Sequence, residues 1–391
     1  MIQRHLQKEL LQLMGEYPVV TILGPRQSGK TTLAKMTFPS FHYCNLESPE
    51  IRLQAEADPK YFLQQFSGPV IFDEIQRVPD LLSYIQVLSD EKKLNGQYVL
   101  TGSHQLELRQ NITQSLAGRT ALLHLLPFSI SELQEAGISW SNFATYVIHG
   151  FLPRIYDQKQ RPQTAYSNYY QTYVERDVRQ IMNLREVTSF EKFLKLMAGR
   201  VGQLINYASI SNDIGVDVKT IKNWLSLLEA SFILYRLNPY FENIGKRQIK
   251  SSKYYFMDVG LLAFLLGIET EEQVRRDPLL GAIFENLVII EALKSQYHQG
   301  KVDHLYFYRD QRGNEVDLIY QKGRQLIPIE IKTSSTLSKD QFKGLEFFQK
   351  TTSMDAHSYL IYNGEETQWN PSITCIHFSS TSKIFEASSV K

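Results

Sequence analysis

An apolar run at Val19–Leu23 leads directly into the pattern Gly-x-x-x-x-Gly-Lys-Thr, which begins at Gly24. Gly24 and Gly29 let the backbone turn tightly and direct its N–H groups towards phosphate oxygens, and a helix beginning near Lys30 adds the positive end of its dipole. The Lys30 ammonium then reaches the β- and γ-phosphates, and the Thr31 hydroxyl holds Mg²⁺. We therefore predict a strand, a loop and a helix that bind a nucleoside triphosphate. The predicted binding residues are Gly24, Pro25, Arg26, Gln27, Ser28, Gly29, Lys30, Thr31 and Thr32.

The length of 391 residues exceeds what one ordinary hydrophobic core supports, so two or three domains are expected. The formal net charge of +1 confines any nucleic-acid contact to local basic patches. Cys44 and Cys375 lie far apart, lack metal-ligand spacing and fit a reducing compartment. The N-terminus lacks the apolar core of a signal peptide, and no segment approaches the roughly 20 apolar residues of a membrane span. These features predict a cytoplasmic protein without a membrane partner.

Apolar strands alternate with helical segments up to residue 155, which predicts an α/β fold with a parallel sheet. The predicted strands are Val19–Leu23, Phe41–Leu46, Val70–Phe72, Tyr98–Thr101 and Ala121–Leu126. Ser129–Glu132 then has the spacing of a capping box that opens a helix. Residues 156–270 are predicted to be helical with one short strand at Ile233–Leu237, and residues 271–391 to run helix, several strands, helix, strand. The predicted domains are therefore 1–155, 156–270 and 271–391.

An acidic pair, Asp73 and Glu74, ends the buried strand that starts at Val70. At the carboxyl end of this strand, the Asp73 carboxylate can coordinate Mg²⁺ directly or through water. Glu74 lies one residue further and points elsewhere, so its carboxylate can polarise the attacking water. The alternative is an ordinary helix start, where Asp-Glu pairs are common. The position after a phosphate loop favours the catalytic interpretation.

A further strand ends in small polar residues, Thr101 and Ser103. Either hydroxyl can lie beside the γ-phosphate and sense its presence, and the alternative is a strand that ends in a turn through Gly102. Arg119, just before the fifth strand, can project into a neighbouring subunit and stabilise transition-state charge. The alternative is a solvated loop arginine. The sequence leaves both assignments open.

Together these motifs resemble the bacterial and archaeal ATPases of the AAA+ superfamily. The resemblance is carried by Gly24–Thr31, Val70–Glu74, Leu100–Ser103 and Leu116–Arg119. It is strongest for the group whose C-terminal half is a domain of unknown function, since Leu126–Glu132 and Tyr173–Asp177 resemble recurring phrases of that group. The resemblance implies ATP rather than GTP, with Mg²⁺ as the cofactor. No guanine-reading Asn-Lys-x-Asp motif contradicts it.

The segment that starts at Tyr207 predicts two helices joined by a short turn. Residues at helical spacing form the predicted inner face, namely Ile210, Ile214, Ile221, Trp224, Leu225 and Leu228. The outward start of the second helix, where DNA readers place their contacts, carries Lys219, Thr220, Lys222 and Asn223. A strand follows, and then a basic stretch with Lys246, Arg247, Lys250 and Lys253, in the order of a winged helix. DNA contact through residues 207–253 stays open, because exposed lysines also cover ordinary helices, and winged helices of AAA+ chains often pack against the ATPase instead.

Three predicted strands in the C-terminal third bring acidic residues and a lysine together. These strands are Leu305–Arg309, Glu315–Tyr320 and Leu326–Lys332. Strand alternation places Glu330 and Lys332 on one face, and Asp317 converges with them if the strands pair. Two carboxylates beside a lysine suit metal-dependent phosphodiester hydrolysis, in which the acids hold Mg²⁺ and the lysine orients water or stabilises charge. The alternative is a strand pair whose charged face meets solvent.

These C-terminal residues resemble the PD-(D/E)xK nuclease superfamily, as does the order helix, three strands, helix, strand. The resemblance rests on Asp317, on Glu330 and Lys332, and on Glu285 in the preceding helix. It implies a restriction-endonuclease-like α/β domain with Glu285, Asp317 and Glu330 as metal ligands and with Asp317, Glu330 and Lys332 in catalysis. The fold alone does not establish an active site.

Two classes of function follow from the sequence. In the first, an ATPase uses its nucleotide state to control a C-terminal, nuclease-like module that acts on nucleic acid such as DNA. In the second, the chain is a nucleotide-switched regulatory or binding protein, and its nuclease-like domain is inactive and holds a partner. A homo-oligomer or another protein partner is compatible with either class.

Overall fold

A computed structural model of the chain describes residues 2–103, 115–175, 187–240, 251–352 and 357–386. The chain forms two compact units. The first consists of Met1–Phe128, Ala230–Phe232 and Tyr297–Lys301, and the second of Ser129–Glu229, Ile233–Gln296 and Val302–Lys391. The division into three domains stays a prediction. Among the helices of the described ranges, none combines the length and apolar character that crossing a bilayer requires.

The first unit is built on a parallel sheet of five strands. These are β1 (Val19–Leu23), β2 (His42–Asn45), β3 (Val70–Asp73), β4 (Tyr98–Gly102) and β5 (Thr120–His124), and their order is β2–β3–β4–β1–β5. The predicted parallel α/β sheet is confirmed. Because parallel strands end at the same edge of a sheet, Gly24, Asp73 and Thr101 come together there. The helices of this unit are α1 (Leu6–Glu16), α2 (Lys30–Thr37), α3 (Pro49–Ala57), α4 (Pro59–Gln64) and α5 (Leu81–Lys92).

The core of the first unit forms where α1 and α2 cover the sheet. In α1, Leu6, Leu10 and Met14 recur at helical spacing and are buried. They share one cluster with the inward residues Leu33 and Ala34 of α2 and with apolar residues of the strands. Every residue of β1 is buried, as expected for a central strand of a parallel sheet with both faces covered. The strand that delivers the phosphate loop is therefore held firmly.

The second unit begins with the capping box that the sequence predicts. The Ser129 hydroxyl accepts the Glu132 N–H at 3.1 Å, and the Glu132 carboxylate accepts the Ser129 N–H at 3.0 Å. The helices are α6 (Ile130–Glu135), α7 (Phe143–His149), α8 (Pro153–Asp157), α9 (Pro162–Tyr169), α10 (Val187–Gly199), α11 (Tyr207–Ile214), α12 (Val218–Ala230), α13 (Val259–Leu266), α14 (Glu271–Arg276), α15 (Leu280–Tyr297), α16 (Lys343–Thr352) and α17 (Ser382–Phe385), with a π-helical turn at Tyr170–Glu175. The segment Tyr173–Asp177 carries part of the family resemblance, and its last two residues lie outside the described residues.

The two helices predicted after Tyr207 are α11 and α12. Ile210, Ile221 and Trp224 are buried on the predicted inner face, and the Trp224 ring meets two phenylalanines of α10 at centroid distances of 5.2 and 5.4 Å. Lys219 and Lys222 are exposed, on the predicted outer face. The winged-helix form stays a prediction, and the basic residues Lys246, Arg247 and Lys250 lie outside the described residues.

The second unit contains a mixed sheet of eight strands. They are β6 (Leu234–Pro239), β7 (Lys253–Phe256), β8 (Leu305–Arg309), β9 (Glu315–Lys322), β10 (Gln325–Lys332), β11 (Ser358–Tyr362), β12 (Thr367–Asn370) and β13 (Ile373–His377). Their order is β12–β13–β11–β10–β9–β8–β6–β7. Strands β9 and β10 pair antiparallel, which meets the condition that the sequence set for the convergence of their charged residues, and helix α16 packs on these two strands. The restriction-endonuclease-like fold stays a prediction.

One predicted feature of this sheet is wrong. The sequence indicates a single strand between residues 156 and 270, whereas β6 pairs antiparallel with a second strand, β7, and parallel with β8. The sequence places Lys253 in the basic stretch for which DNA contact was left open, but Lys253 opens β7 and is only 3% exposed. Pairing within the sheet buries strand β7. In the sequence alone, a four-residue strand that follows several basic residues resembles an exposed loop.

Candidate functional site

The backbone of the phosphate loop requires glycine at Gly24 and favours it at Gly29. A Cβ on Gly24 would lie 2.1 Å from the carbonyl oxygen of Leu125, so only glycine permits this close approach. Gln27 and Gly29 have φ angles of 62° and 93°, in the left-handed region. Helix α2 then begins at Lys30. The structure therefore contains the predicted strand, loop and helix.

The Lys30 side chain lies inside this loop and is only 5% exposed. Its ammonium donates to the carbonyl oxygens of Gly24 at 2.9 Å and Pro25 at 2.8 Å. Burial lowers the pKa of Lys30, while the nearby Glu74 and Asp73 carboxylates act in the opposite direction. Within the described part of the chain, the buried hydroxyl of Ser28 has no hydrogen-bond partner. An ammonium and an unsatisfied hydroxyl in one glycine-shaped loop fit a phosphate group.

An arginine that the sequence did not indicate braces the same loop. Arg4, just before α1, is 7% exposed and donates to the carbonyl oxygens of Ser28 at 2.7 Å and Leu126 at 2.6 Å. Its guanidinium also lies over the Phe128 ring, 4.9 Å from the centroid. The two carbonyls are 24 and 122 residues away in sequence. No local pattern predicts such a contact.

Asp73 is the centre of a hydroxyl cluster at the carboxyl edge of the sheet. The Thr31 hydroxyl donates to both of its carboxylate oxygens, at 2.9 and 3.0 Å, so the two predicted Mg²⁺ ligands are brought together. Thr101 donates to the first oxygen, and Tyr43 donates to the second at 2.8 Å. The sequence did not indicate Tyr43, although it lies on β2, whose residues pair with β3. These donors fix the position of the carboxylate.

Glu74 follows in an unusual backbone conformation, with φ 58° and ψ 49°. A non-glycine residue in this left-handed region costs of order 1 kcal/mol, and such strain concentrates at functional sites. The Glu74 N–H donates to the Thr101 hydroxyl at 3.3 Å, and its carboxylate accepts from Ser103 at 3.0 Å and from Gln76. Thr101 and Ser103 therefore contact Asp73 and Glu74. Their predicted role as γ-phosphate sensors stays a prediction.

Arg119 has a partner within its own chain. Its guanidinium binds Asp90 of α5 in bidentate geometry, with N–O distances of 2.6 and 2.9 Å. It also donates to the carbonyl oxygen of Ala117 at 3.0 Å. A role in a neighbouring subunit stays a prediction, and it would require this surface pair to open.

The structure brings together three of the C-terminal residues singled out by the sequence. The Lys332 ammonium donates to Glu330 at 2.7 Å and to Asp317 at 3.2 Å, and Asp317 also accepts the Ile331 N–H at 2.8 Å. The pairing of β9 with β10 creates this convergence, as strand alternation predicted. One oxygen of the Glu330 carboxylate is buried and has no hydrogen-bond partner within the described ranges.

Glu285, on α15, is bound by a different lysine. The Lys253 ammonium lies 3.1 Å from Glu285 and 2.6 Å from Glu315, and the Tyr255 hydroxyl donates to Glu285. Arg309 binds the other Glu315 oxygen at 2.9 Å. The sequence did not indicate Lys253, Tyr255 or Glu315 for this site.

The three predicted metal ligands do not form a compact triad. Across the described ranges, the carboxylates of Glu285, Asp317 and Glu330 do not all come within 4.8 Å of one another. Each has an ammonium beside it, which is Lys253 for Glu285 and Lys332 for the other two. Lys332 beside Asp317 and Glu330 is the arrangement that the nuclease resemblance implies, whereas Lys253 beside Glu285 is not part of it. The roles of Glu285, Asp317 and Glu330 in metal binding and catalysis stay predictions.

We expect the Glu330 carboxyl to change how the free energy of unfolding depends on pH. Burial, assisted by the nearby Asp317 charge, raises the pKa of Glu330 from 4.5 to about 8. The folded chain then keeps a proton that the unfolded chain releases near pH 4.5, so the free energy of unfolding falls as pH rises from 4.5 to 8. One proton changes it by at most about 1.4 kcal/mol per pH unit.

Chemical denaturation at several pH values measures this slope, and Glu330→Gln is expected to make it shallower. Glu346→Gln, on the exposed face of α16, is the matched control and should leave the slope unchanged. An identical slope in the Glu330→Gln variant would contradict the assignment.

Family models match three successive parts of the chain. An AAA domain matches residues 16–134, which contain the phosphate loop, Asp73 and Glu74. Two domains of unknown function match residues 141–272 and 280–380. The first unit is therefore an AAA-type P-loop ATPase domain, and the resemblance stated for the N-terminal motifs is confirmed. Neither of the other models is a nuclease model.

Solved structures with similar folds are distant. A Walker-type ATPase of Pyrococcus abyssi is 14% identical, with a TM-score of 0.44, and the alignment covers 68% of this chain and 96% of that chain. The Holliday junction branch migration motor of Thermotoga maritima is 17% identical, with a TM-score of 0.31, over 60% of this chain and 90% of that chain. Likenesses at these scores carry no conclusion about the function of this chain.

Three related proteins have higher sequence identity to this chain than these solved structures have. An uncharacterized protein of Haemophilus influenzae is 25% identical over 357 residues, which are 83% of this chain and 84% of that protein. Two uncharacterized proteins, from Mycobacterium bovis and Mycobacterium tuberculosis, are each 31% identical over 326 residues, which are 82% of this chain and 71% of theirs. The chain belongs to the same family as these mycobacterial proteins, and its phosphate loop lies inside the part that matches an AAA domain.

Proposed function

We propose that the chain binds ATP with Mg²⁺ at the phosphate loop and hydrolyses it. The observation that carries this proposal is the contact between the Thr31 hydroxyl and both Asp73 oxygens, which joins the loop to the acidic strand end. When bound there, Mg²⁺ would neutralise charge on the β- and γ-phosphates. Thr31 and Asp73 are the residues that would hold it.

The remaining residues of the site have separate roles in this proposal. The Lys30 ammonium exchanges its carbonyl partners for phosphate oxygens and stabilises the charge that develops on them. Glu74 accepts a proton from the attacking water, and its left-handed backbone turns it away from Asp73. Ser103 and Thr101 orient the two carboxylates. Arg119 acts in a neighbouring copy if the chain assembles.

The metal role is tested by replacing Asp73 with asparagine. We expect ATP turnover to fall by about 10²-fold or more, because the amide carries no charge to hold Mg²⁺. Phosphate release, measured over a range of Mg²⁺ concentrations, reports the loss. Asp80→Asn, at an exposed position just before α5, is the matched control. Full turnover by the Asp73→Asn variant at limiting Mg²⁺ would contradict the proposal.

We propose further that the nucleotide state controls a binding function of the second unit rather than DNA cleavage. Both functions were left open by the sequence. The Lys253 partner of Glu285, which the sequence did not indicate, favours the binding function, because it occupies a carboxylate that the nuclease resemblance assigns to a metal ion. The exposed Lys219 and Lys222 at the start of α12 are the residues that would contact DNA, if DNA is the partner.

This proposal is tested by incubating the chain with DNA, Mg²⁺ and ATP, beside a Lys332→Ala variant. We expect neither protein to cleave DNA, whether or not ATP is present. Cleavage that disappears in the Lys332→Ala variant would establish the nuclease instead. Such a result would leave the ATPase proposal untouched, because the two sites lie in different units.

A further inference from the structure

The buried ammonium of Lys253 has carboxylates on two sides. It lies 2.6 Å from an oxygen of Glu315, on β9, and 3.1 Å from an oxygen of Glu285, on α15. The Lys253 side chain is only 4% exposed, and its ammonium also lies 5.4 Å from the centre of the Phe307 ring. A buried charge of this kind persists only when it is closely paired.

The surroundings of this ammonium have the composition of a cation site. The Tyr255 hydroxyl, two residues along β7, donates to the same Glu285 oxygen that Lys253 binds. Burial acts to lower the pKa of Lys253, but the charges of Glu285, Glu315 and Asp317 together raise it above its usual value. The two carboxylates in contact with this ammonium come from α15 and β9, and carboxylate oxygens are also the ligands that Mg²⁺ and Ca²⁺ prefer.

The position of the Lys253 nitrogen is the position that a shared metal ion would need. The bound oxygens of Glu285 and Glu315 both lie within about 3 Å of this nitrogen, and an ion bridging them at the usual 2.0–2.6 Å would occupy the same space. Lysine and metal therefore exclude each other.

We infer that Lys253 is a resident cation that fills a carboxylate site formed by Glu285 and Glu315 and excludes divalent metal ions from it. This inference rests on the proposed binding function of the second unit. It names the residue that keeps the acidic centre free of metal. It also predicts a site for divalent cations that appears only when the lysine is removed.

The test is a titration of the full chain with Mn²⁺, followed by the loss of the electron paramagnetic resonance signal of free Mn²⁺. All variants carry Asp73→Asn and are measured without nucleotide, so that the phosphate loop does not contribute. With Lys253 present, we expect no bound Mn²⁺ that depends on Glu285. Lys253→Met is expected to bind one additional Mn²⁺ at least 10-fold more tightly, and Glu285→Gln added to it should abolish this binding.

Lys219→Met, at an exposed lysine of the same unit, is the matched control and should bind no additional Mn²⁺. A folded Lys253→Met variant without the additional site would overturn the inference. If circular dichroism shows that Lys253→Met does not fold, the Mn²⁺ titration of the chain that retains Lys253 still tests the inference. Mn²⁺ bound to that chain and lost with Glu285→Gln or Glu315→Gln would overturn the inference, and the absence of such binding supports it.

The experiment also separates this inference from the proposed function. DNA cleavage by the unmodified chain that is lost in Lys332→Ala would contradict the proposed binding function while leaving the Mn²⁺ comparison intact. Failure of ATP turnover in the unmodified chain would contradict the ATPase proposal alone. The resident cation is contradicted by Mn²⁺ binding that depends on Glu285 or Glu315 in the presence of Lys253, or by a folded Lys253→Met variant that gains no Mn²⁺ site.

Discussion

Lys30→Ala is expected to reduce ATP turnover by about 10³-fold or more. The Lys30 ammonium is buried in the glycine-shaped loop and held only 2.8–2.9 Å from two backbone carbonyls, so its position is fixed before a phosphate arrives. Pre-placed charge of this kind is worth about 4 kcal/mol, because no water needs to reorganise around it. Alanine removes both the charge and the donor, so binding and turnover of ATP should fall together.

Phosphate release and binding of a fluorescent ATP analogue measure these two losses. Lys8→Ala, at an exposed lysine of α1, is the matched control and should retain activity. Because Lys30 is buried, circular dichroism and thermal unfolding must show that the variant is folded. A folded Lys30→Ala variant with undiminished turnover would contradict the assignment of the phosphate loop.

The candidate site of the first unit was largely predictable, because parallel strands place residues that are distant in sequence at one edge of the sheet. A motif at the carboxyl end of β1 and acidic and hydroxyl residues at the ends of β3 and β4 must share one edge of the sheet. Thr31, Asp73 and Thr101 therefore met as the sequence indicated. Arg4 and Tyr43 were not predictable in the same way. Their contacts depend on where a neighbouring strand and a preceding segment pack, which no spacing rule gives.

The C-terminal centre shows a different limit. Alternation along β9 and β10 correctly predicted that Asp317, Glu330 and Lys332 converge, because antiparallel pairing determines which side chains share a face. Lys253 reaches the same region from β7, which joins the sheet through β6. Basic residues before a four-residue strand indicate an exposed loop. Lys253 is buried only because its strand pairs with a strand that is distant in sequence. The lysine that pairs with Glu285 and Glu315 could therefore be identified only from the structure.

Glu74→Gln is expected to separate binding from hydrolysis in the ATPase site. Glutamine keeps the size of the side chain and can still bond to Ser103, but it cannot accept a proton from water. We expect phosphate release to fall by about 10²–10⁴-fold, the usual contribution of a general base. ATP affinity should stay within a few-fold, because Lys30, Thr31 and Asp73 are unchanged. Single-turnover phosphate release and analogue binding measure the two quantities.

The test is most informative when ATP binding and turnover are compared across the variants. Lys30→Ala should lose both binding and turnover, whereas Glu74→Gln should lose turnover alone, and the exposed Glu91→Gln of α5 should lose neither. Gln76→Ala removes a hydrogen bond to the Glu74 carboxylate, so a smaller loss is expected from poorer orientation of the base. If Glu74→Gln retained full turnover, the strained residue at the end of β3 would serve the backbone turn and not the chemistry. The base would then have to be sought elsewhere.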